Sequence, residues 1–247
     1  MLYWLVKYVF LGPVLRLLYR PKVVGKKYIP KTGAAILASN HVSFSDSIFL
    51  PIVVRRRITF LAKSEYFTSP GIKGWISKMF FSGVGQVPID RSGGRAAEAA
   101  INTAVRILKD GNLLGIYPEG TRSPDGKLYR GRTGMVRIAI EAGVPIIPVA
   151  MIGTYEIQPI GQVIPNIGKI VVKFGEPLDF SHLADKMRDP ATLREATNVF
   201  MRALQELSGQ EYVDIYASKA KEIAAEAAPD VEQVIEAADS DDESSRS

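Results

Sequence analysis

Two short polar runs concentrate the chemistry that this chain of 247 residues can carry. The first is Asn40-His41-Val42-Ser43-Phe44-Ser45-Asp46, which follows the apolar stretch AAILAS. An imidazole can take a proton from an alcohol, and a neighbouring carboxylate can hold the ring and stabilise its charged form. On a regular helix, positions i and i+5 point about 140° apart. Contact between His41 and Asp46 therefore requires His41 in a connecting turn and Asp46 in the first helical turn. The same run also suits a plain helix cap, with Asn40 or Ser45 capping and the histidine only packed. The second run is Tyr117-Pro118-Glu119-Gly120-Thr121-Arg122-Ser123, directly after LLGI. Gly120 admits close backbone approach, Thr121 can donate a hydrogen bond, and Arg122 can grip phosphate with its forked guanidinium. A bare carboxylate against phosphate is unfavourable, so Glu119 is expected to orient Arg122 or a substrate hydroxyl. In isolation this run is a Pro/Gly turn with an exposed Glu–Arg pair. Together the two runs point to one site for an alcohol that carries an anion.

The elements that must position these runs alternate in type. Residues 34–40 form a buried strand entering a turn, and 46–54 a short helix; ITFLAK at 58–63 is a second strand. Between 69 and 83, Ile72, Trp75, Ile76, Met79 and Phe80 make a helical stripe for core or membrane, and 85–89 reads as a short edge strand broken by Pro88. A helix at 94–109 precedes the strand LLGIYP, and a helix at 133–142 precedes the strand VPIIPVAMIG. A strand within 169–177, a helix at 190–208 and an Ala/Glu-rich helix from about 211 complete an α/β pattern. Ile146, Ile147 and Val149 alternate in direction, so they cannot all serve one face.

Composition narrows the chemistry further. There is no cysteine and there are two histidines, which excludes disulfides, thiolate ligation and a cysteine nucleophile and leaves little for a metal site. The formal charge of +5 hides a division: residues 221–247 hold nine acidic and two basic residues, net −7, leaving 29 basic against 17 acidic before them, net +12. The body thus attracts an anionic partner, and DSDDESSRS at the end is a solvated tail. The opening MLYWLVKYVFLGPVLRLLYR is apolar and aromatic but interrupted by Lys7, Gly12-Pro13 and Arg16. It suits an interfacial segment better than a spanning or signal helix, with Tyr3, Trp4, Tyr8 and Tyr19 at headgroup level. Lys7 and Arg16 would fall on nearly opposite faces of a straight helix, so Gly12-Pro13 is expected to divide it into two short ones.

The chain resembles the glycerophospholipid acyltransferase family, particularly the 1-acyl-sn-glycerol-3-phosphate acyltransferases. The resemblance rests on NHVSFSD at 40–46, GQVPIDR at 85–91, YPEGTRS at 117–123 and VPIIPVA at 144–150, in that order, and covers roughly residues 20–180. Tyr117 stands where phenylalanine is more usual, which preserves an aromatic wall, and Pro88 where an aromatic residue is common. The acidic C terminus falls outside the family pattern.

The resemblance implies a single glycerolipid-acyltransferase-like α/β domain with a mixed, mostly parallel sheet flanked by helices, and a membrane-associated helical segment before it. The segment would span residues 1–20, the acyltransferase domain 21–210, and a C-terminal helix with a disordered acidic tail 211–247. The implied reaction moves a fatty acyl group from acyl-CoA or acyl carrier protein to the sn-2 hydroxyl of lysophosphatidic acid, giving phosphatidic acid. His41 would be the general base and Asp46 its support. Asn40, Lys63, Arg91, Glu119, Gly120, Thr121 and Arg122 would bind substrate, whereas Arg132 and His182 read first as structural. No metal, tightly bound cofactor or nucleic acid is expected. The partners would be the thioester co-substrate, lysophosphatidic acid and an anionic lipid surface, with the enzyme peripheral or monotopic on the cytoplasmic face. Glycerol-3-phosphate or another lysophospholipid is the alternative acceptor, and a non-catalytic basic membrane-binding module the distant alternative.

Overall fold

The computed structural model describes residues 2–63, 68, 70–72, 74, 75, 79, 85–89 and 96–227. Its strands are β1 (Lys22–Val24), β2 (Ala35–Ser39), β3 (Ile58–Lys63), β4 (Gln86–Ile89), β5 (Leu113–Ile116), β6 (Leu128–Tyr129), β7 (Ile146–Ile152), β8 (Val171–Phe174) and β9 (Tyr212–Val213). The main sheet runs β1-β8-β7-β2-β5-β3-β4, and β6 pairs with β9 in a small second sheet. Within the main sheet only the β7–β8 pairing is antiparallel. The fold is therefore α/β, as the alternation predicts, with the mixed, mostly parallel sheet that the resemblance implies.

The central strand β2 explains the uninterrupted apolar run AILA. Parallel neighbours on both sides and helices on both faces leave every one of its residues buried. Ile36 and Ala38 face one hydrophobic cluster, and Ala35 and Leu37 face the other. The same alternation divides β7, where Ile146 joins the first cluster and Ile147 and Val149 the second. All three are fully buried, so they pack the fold.

The helices are α1 (Leu2–Leu5), α2 (Leu11–Tyr19), α3 (Asp46–Val53), α4 (Ala96–Lys109), α5 (Gly134–Ala142), α6 (Thr154–Ile157), α7 (Pro190–Ser208) and α8 (Ala217–Ala227). Residues of α4, α5 and α7 supply the first cluster, and residues of α2 and α3 the second. The limits of α7 are written in its sequence. The Asp189 side chain accepts from Thr192 N at 2.9 Å, Pro190 takes the first turn, and Gly209 adopts φ 77° at the end.

Residues Leu2–Tyr19 depart from the expected pair of short helices. A π-helical turn, Val6–Phe10, joins α1 to α2 without a break. Pro13 has no N–H and crowds the carbonyl four residues back, and the wider turn upstream absorbs that mismatch. A side chain at Gly12 would put its Cβ 1.7 Å from Lys7 O, so glycine lets the bulge close. The turn also changes the helical phase, bringing Lys7 and Arg16 to the same target. Lys7 Nζ donates to Val54 O and lies 3.4 and 3.3 Å from the carbonyl oxygens of Arg55 and Arg56. Arg16 Nη2 donates to Ile52 O at 2.5 Å. Two cations thus dock the segment onto the carbonyl end of α3, where the helix dipole favours positive charge. Burial, and then the nearby Arg16, lower the Lys7 pKa to about 8.

Other expectations meet mixed outcomes. The short strand at 85–89 is β4, at the sheet edge, where Pro88 opposite Ala62 removes a donor at little cost. Ile72, Trp75 and Met79 are exposed, so this part of the stripe does not face the core; Ile76 and Phe80 lie outside the described residues. The strands β1, β6 and β9 carry too few residues for an alternation signal. The tail from residue 228 onward lies outside the described residues.

Candidate functional site

Register brings the two polar runs together. β2 and β5 are parallel neighbours with Ala38 opposite Ile116, so both runs leave the carboxyl edge of the sheet side by side. That edge is where open α/β sheets bind ligands. The backbone of His41 is held from both directions: Ser123 N donates to His41 O at 2.7 Å, and His41 N donates to Glu119 Oε1 at 3.0 Å.

His41 lies in the turn after β2, and Asp46 is the first residue of α3, the arrangement that contact between them requires. His41 Nδ1 is 3.0 Å from Asp46 Oδ2, with the His41 side chain 15% exposed and Asp46 fully buried. The same Oδ2 accepts from Val42 N and Ser43 N, each at 2.8 Å. Asp46 thus fixes the turn as well as the ring. Neither of the expected capping residues does this work. Ser45 makes no side-chain cap bond, and the Asn40 amide is committed to β7, accepting from Met151 N at 2.8 Å and donating to Met151 O at 3.0 Å. Asn40 Nδ2 also donates to Gln210 Oε1 at 2.8 Å.

Tyr117 supplies a wall for the imidazole. The two rings stack at a centroid distance of 3.7 Å with 11° between their planes. The Tyr117 hydroxyl lies 2.8 Å from Ser47 Oγ, which gives the phenol a partner that phenylalanine would not need. Burial, with the charge of Asp46 adding to it, pushes this phenol well above its ordinary pKa.

Glu119 is fully buried and divides its carboxylate between two loops. Oε1 accepts from His41 N, and Oε2 accepts from Tyr129 N at 2.9 Å. Burial raises its pKa to about 8 against the pull of those two N–H groups. Both oxygens are occupied, so Glu119 bridges the His41 turn to β6 and faces neither Arg122 nor open solvent. The fully buried Asn40 is likewise spoken for by the protein itself.

Gly120, Thr121 and Arg122 line the outer side of the same loop. Gly120 has φ 78°, and a Cβ there would sit 2.6 Å from Arg132 Nε, so the loop needs glycine at this point. Thr121 Oγ1 accepts from Lys221 Nζ at 2.8 Å. Arg122 makes no hydrogen bond or ion pair with any other described residue. Lys63 ends β3, next to β5 on the same carboxyl edge, whereas Arg91 lies outside the described residues. His182 is exposed in the 3-10 turn Ser181–Lys186. Among the described residues no cluster of His, Asp and Glu is built to hold a metal ion.

Several supporting residues lie far from the two runs in sequence. Ser45 Oγ donates to Gln158 Oε1 at 2.6 Å and Ser43 Oγ to Gln158 O at 2.9 Å, fastening the turn to the segment after β7. Gln158 Nε2 donates in turn to Val163 O at 2.9 Å. Gln210 and Tyr129 act similarly through Asn40 and Glu119. The serines lie inside a noticed run, but an isolated glutamine gives no sequence signal of its partner.

Comparison with known proteins follows the same residues. Residues 20–152 match the family model described as Acyltransferase. The chain is 32% identical over 189 residues to the 1-acyl-sn-glycerol-3-phosphate acyltransferase of Bacillus subtilis (strain 168), covering 74% of this chain and 87% of that protein. It is 31% identical over 175 residues to chloroplastic 1-acyl-sn-glycerol-3-phosphate acyltransferase BAT2 of Brassica napus, covering 70% of this chain and spanning 49% of that longer protein. The crystal structure of the 1-acyl-sn-glycerophosphate (LPA) acyltransferase PlsC from Thermotoga maritima matches with a TM-score of 0.59 at 30% identity, covering 79% of this chain and 76% of that one. With the His41–Asp46 pair and the Glu119–Arg122 loop both inside residues 20–152, the chain belongs to the acyltransferase family.

Proposed function

We propose that this chain transfers a fatty acyl group from a thioester, acyl-CoA or acyl carrier protein, to the sn-2 hydroxyl of 1-acyl-glycerol-3-phosphate, giving phosphatidic acid. The observation that carries the reading is the 3.0 Å contact between His41 Nδ1 and Asp46 Oδ2 at the carboxyl edge of β2. A carboxylate oxygen only accepts, so the contact favours the tautomer with the proton on Nδ1 and a lone pair on Nε2. Nε2 takes the hydroxyl proton as the alcohol oxygen attacks the thioester carbonyl, and Asp46 stabilises the imidazolium that forms. The tetrahedral intermediate then collapses, the C–S bond breaks, and the proton passes to the departing thiolate. The acyl group goes directly to the acceptor, in keeping with a chain that has no cysteine.

Arg122 is the proposed grip on the acceptor phosphate, with Thr121, Lys63 and Arg91 as further donors to it. Asn40 and Glu119 act through the backbone, as positioning residues. Their bonds to Met151, His41 and Tyr129 hold the imidazole where two loops meet.

A lipid acceptor is best met at a membrane surface, and the N-terminal segment offers one. Trp4, Leu5, Val9, Phe10, Val14 and Leu17 are exposed on its outer side, while Lys7 and Arg16 turn inward to α3. Among the described residues no helix is long and apolar enough to cross a membrane. Peripheral or monotopic attachment to the cytoplasmic face would bring the lysophospholipid in from the bilayer and the thioester from water.

Purified protein assayed with lysophosphatidic acid, glycerol-3-phosphate and lysophosphatidylinositol, each with acyl-CoA and with acyl carrier protein thioesters, tests the assignment. Fastest acylation of lysophosphatidic acid is expected. Robust use of another acceptor with none of lysophosphatidic acid would overturn it.

A further inference from the structure

The C-terminal helix α8, beyond residues 20–152 of the family match, reaches the loop proposed to hold phosphate. Its start is fixed firmly. Arg130 N donates to Ile215 O at 3.0 Å, and Arg194 Nη2 donates to the Tyr216 hydroxyl at 3.1 Å. The guanidinium groups of Arg130 and Arg132 lie 5.6 and 5.2 Å over the Tyr216 ring. Tyr216 O then accepts from Lys219 N and Ala220 N, opening the helix. One turn on, Lys221 lies across the Glu119–Arg122 loop, where its Nζ donates to Thr121 Oγ1 at 2.8 Å.

The charges around this contact are unbalanced. Three neighbouring cations have carboxylate partners: Lys127 with Glu211 at 2.9 Å, Arg130 with Asp214 at 3.7 Å, and Lys219 with Glu222 at 3.3 Å, while Arg132 lies over the Tyr216 ring. Lys221 and Arg122 form no ion pair among the described residues; burial, and then Arg122, lower the Lys221 pKa against the weaker opposing pull of Glu119, whose two oxygens accept from His41 N and Tyr129 N. Two cations held together with no carboxylate in ion-pair contact among the described residues, beside a threonine hydroxyl and the crowded Gly120 turn, make a seat for a group of two negative charges. Because Thr121 accepts from Lys221, its own O–H is free to donate onward.

We infer that Lys221 is a specificity-determining residue that binds the phosphate monoester of the acyl acceptor together with Thr121 and Arg122. The inference rests on the phosphate role proposed above for Arg122. A phosphate monoester occurs both on the acceptor and on the ribose of CoA; the acceptor is favoured because the same loop bonds both the N–H and the carbonyl of His41.

Steady-state kinetics of the full chain, varying lysophosphatidic acid and acyl-CoA separately, tests it with Lys221→Ala, Lys221→Arg and Arg122→Ala. Loss of one charged hydrogen bond should raise the acceptor KM about tenfold in Lys221→Ala, with the acyl-CoA KM unchanged, and Lys221→Arg should recover most of it. An unchanged acceptor KM in Lys221→Ala, beside a raised one in Arg122→Ala, would overturn the role of Lys221 and leave the pocket standing. No change in either alanine variant would overturn the pocket itself. A rise in the acyl-CoA KM alone would move the site to the donor, and a fall in kcat with both KM values intact would reduce α8 to a structural support; either result refutes the inference.

Discussion

Glu119 looks like a substrate ligand in sequence and acts as a strut in the structure. An acidic residue between Pro118 and Gly120 suggests an exposed turn, but the parallel register of β2 and β5 buries it against the backbone of His41. A glutamine at this position can accept with only one of its two end atoms, and its NH2 must face a second N–H donor. Above pH 8, where the carboxylate is ionised and both oxygens accept, Glu119→Gln is therefore expected to shift His41 and lower kcat about 100-fold, with both KM values nearly unchanged. Stability should follow the same group. Its folded pKa of about 8 lies above the ordinary carboxylate value of 4.5. The folded state therefore holds this proton more tightly than the unfolded chain. The contribution is fully present below pH 4.5 and is lost as pH rises towards about 8, at up to ~1.4 kcal/mol per pH unit. Urea unfolding between pH 5 and 8 should show that slope in the wild type and its disappearance in Glu119→Gln. Equal slopes in the two proteins would contradict the strut.

The elements that sequence made legible are those with a strong period or a sharp cap. The helix α7 is bounded by Asp189-Pro190 and Gly209, and β2 by a run too apolar for an exposed strand. The π-helical turn at Val6–Phe10 was not legible, because the phase it sets is fixed by Lys7 and Arg16 meeting carbonyls at the end of α3 that are supplied about 40 residues later. That docking has a functional consequence. It turns the basic groups inward and leaves an apolar outer face, and the loop after α6 adds to it: Val163, Ile164 and Ile167 are exposed, and Tyr19 donates to Pro165 O at 3.4 Å. Deleting residues 1–20 should abolish most binding to anionic liposomes, and Val163→Asp with Ile164→Asp should weaken it at least tenfold, since each buried CH2 lost removes about 0.8 kcal/mol. Flotation with vesicles containing phosphatidylglycerol measures both. Undiminished binding of the deletion variant would remove the segment from the membrane contact.

At the scale of the whole molecule, the alternation of strands and helices foretold an α/β sheet but not its order. That order decides the site: β2 lies between β5 and β7, so His41 meets Glu119 and Asn40 meets Met151 although the chain separates these partners by up to 111 positions. The His41–Asp46 contact was legible because both partners lie within one turn. The holds from Gln158, Gln210 and Lys221 were not, since each depends on where a distant segment finally packs. The net charge of the body likewise signalled an anion without locating it, whereas Arg122 and Lys221, which form no ion pair among the described residues, give that attraction a proposed address. These layers converge on a single imidazole. Initial rates of acyl transfer to lysophosphatidic acid by wild type and His41→Ala, on protein matched for liposome binding and thermal stability, test its role most directly. Loss of the general base should lower kcat by about 10²–10⁴-fold while membrane binding persists. Turnover by His41→Ala equal to that of the wild type would contradict the mechanism.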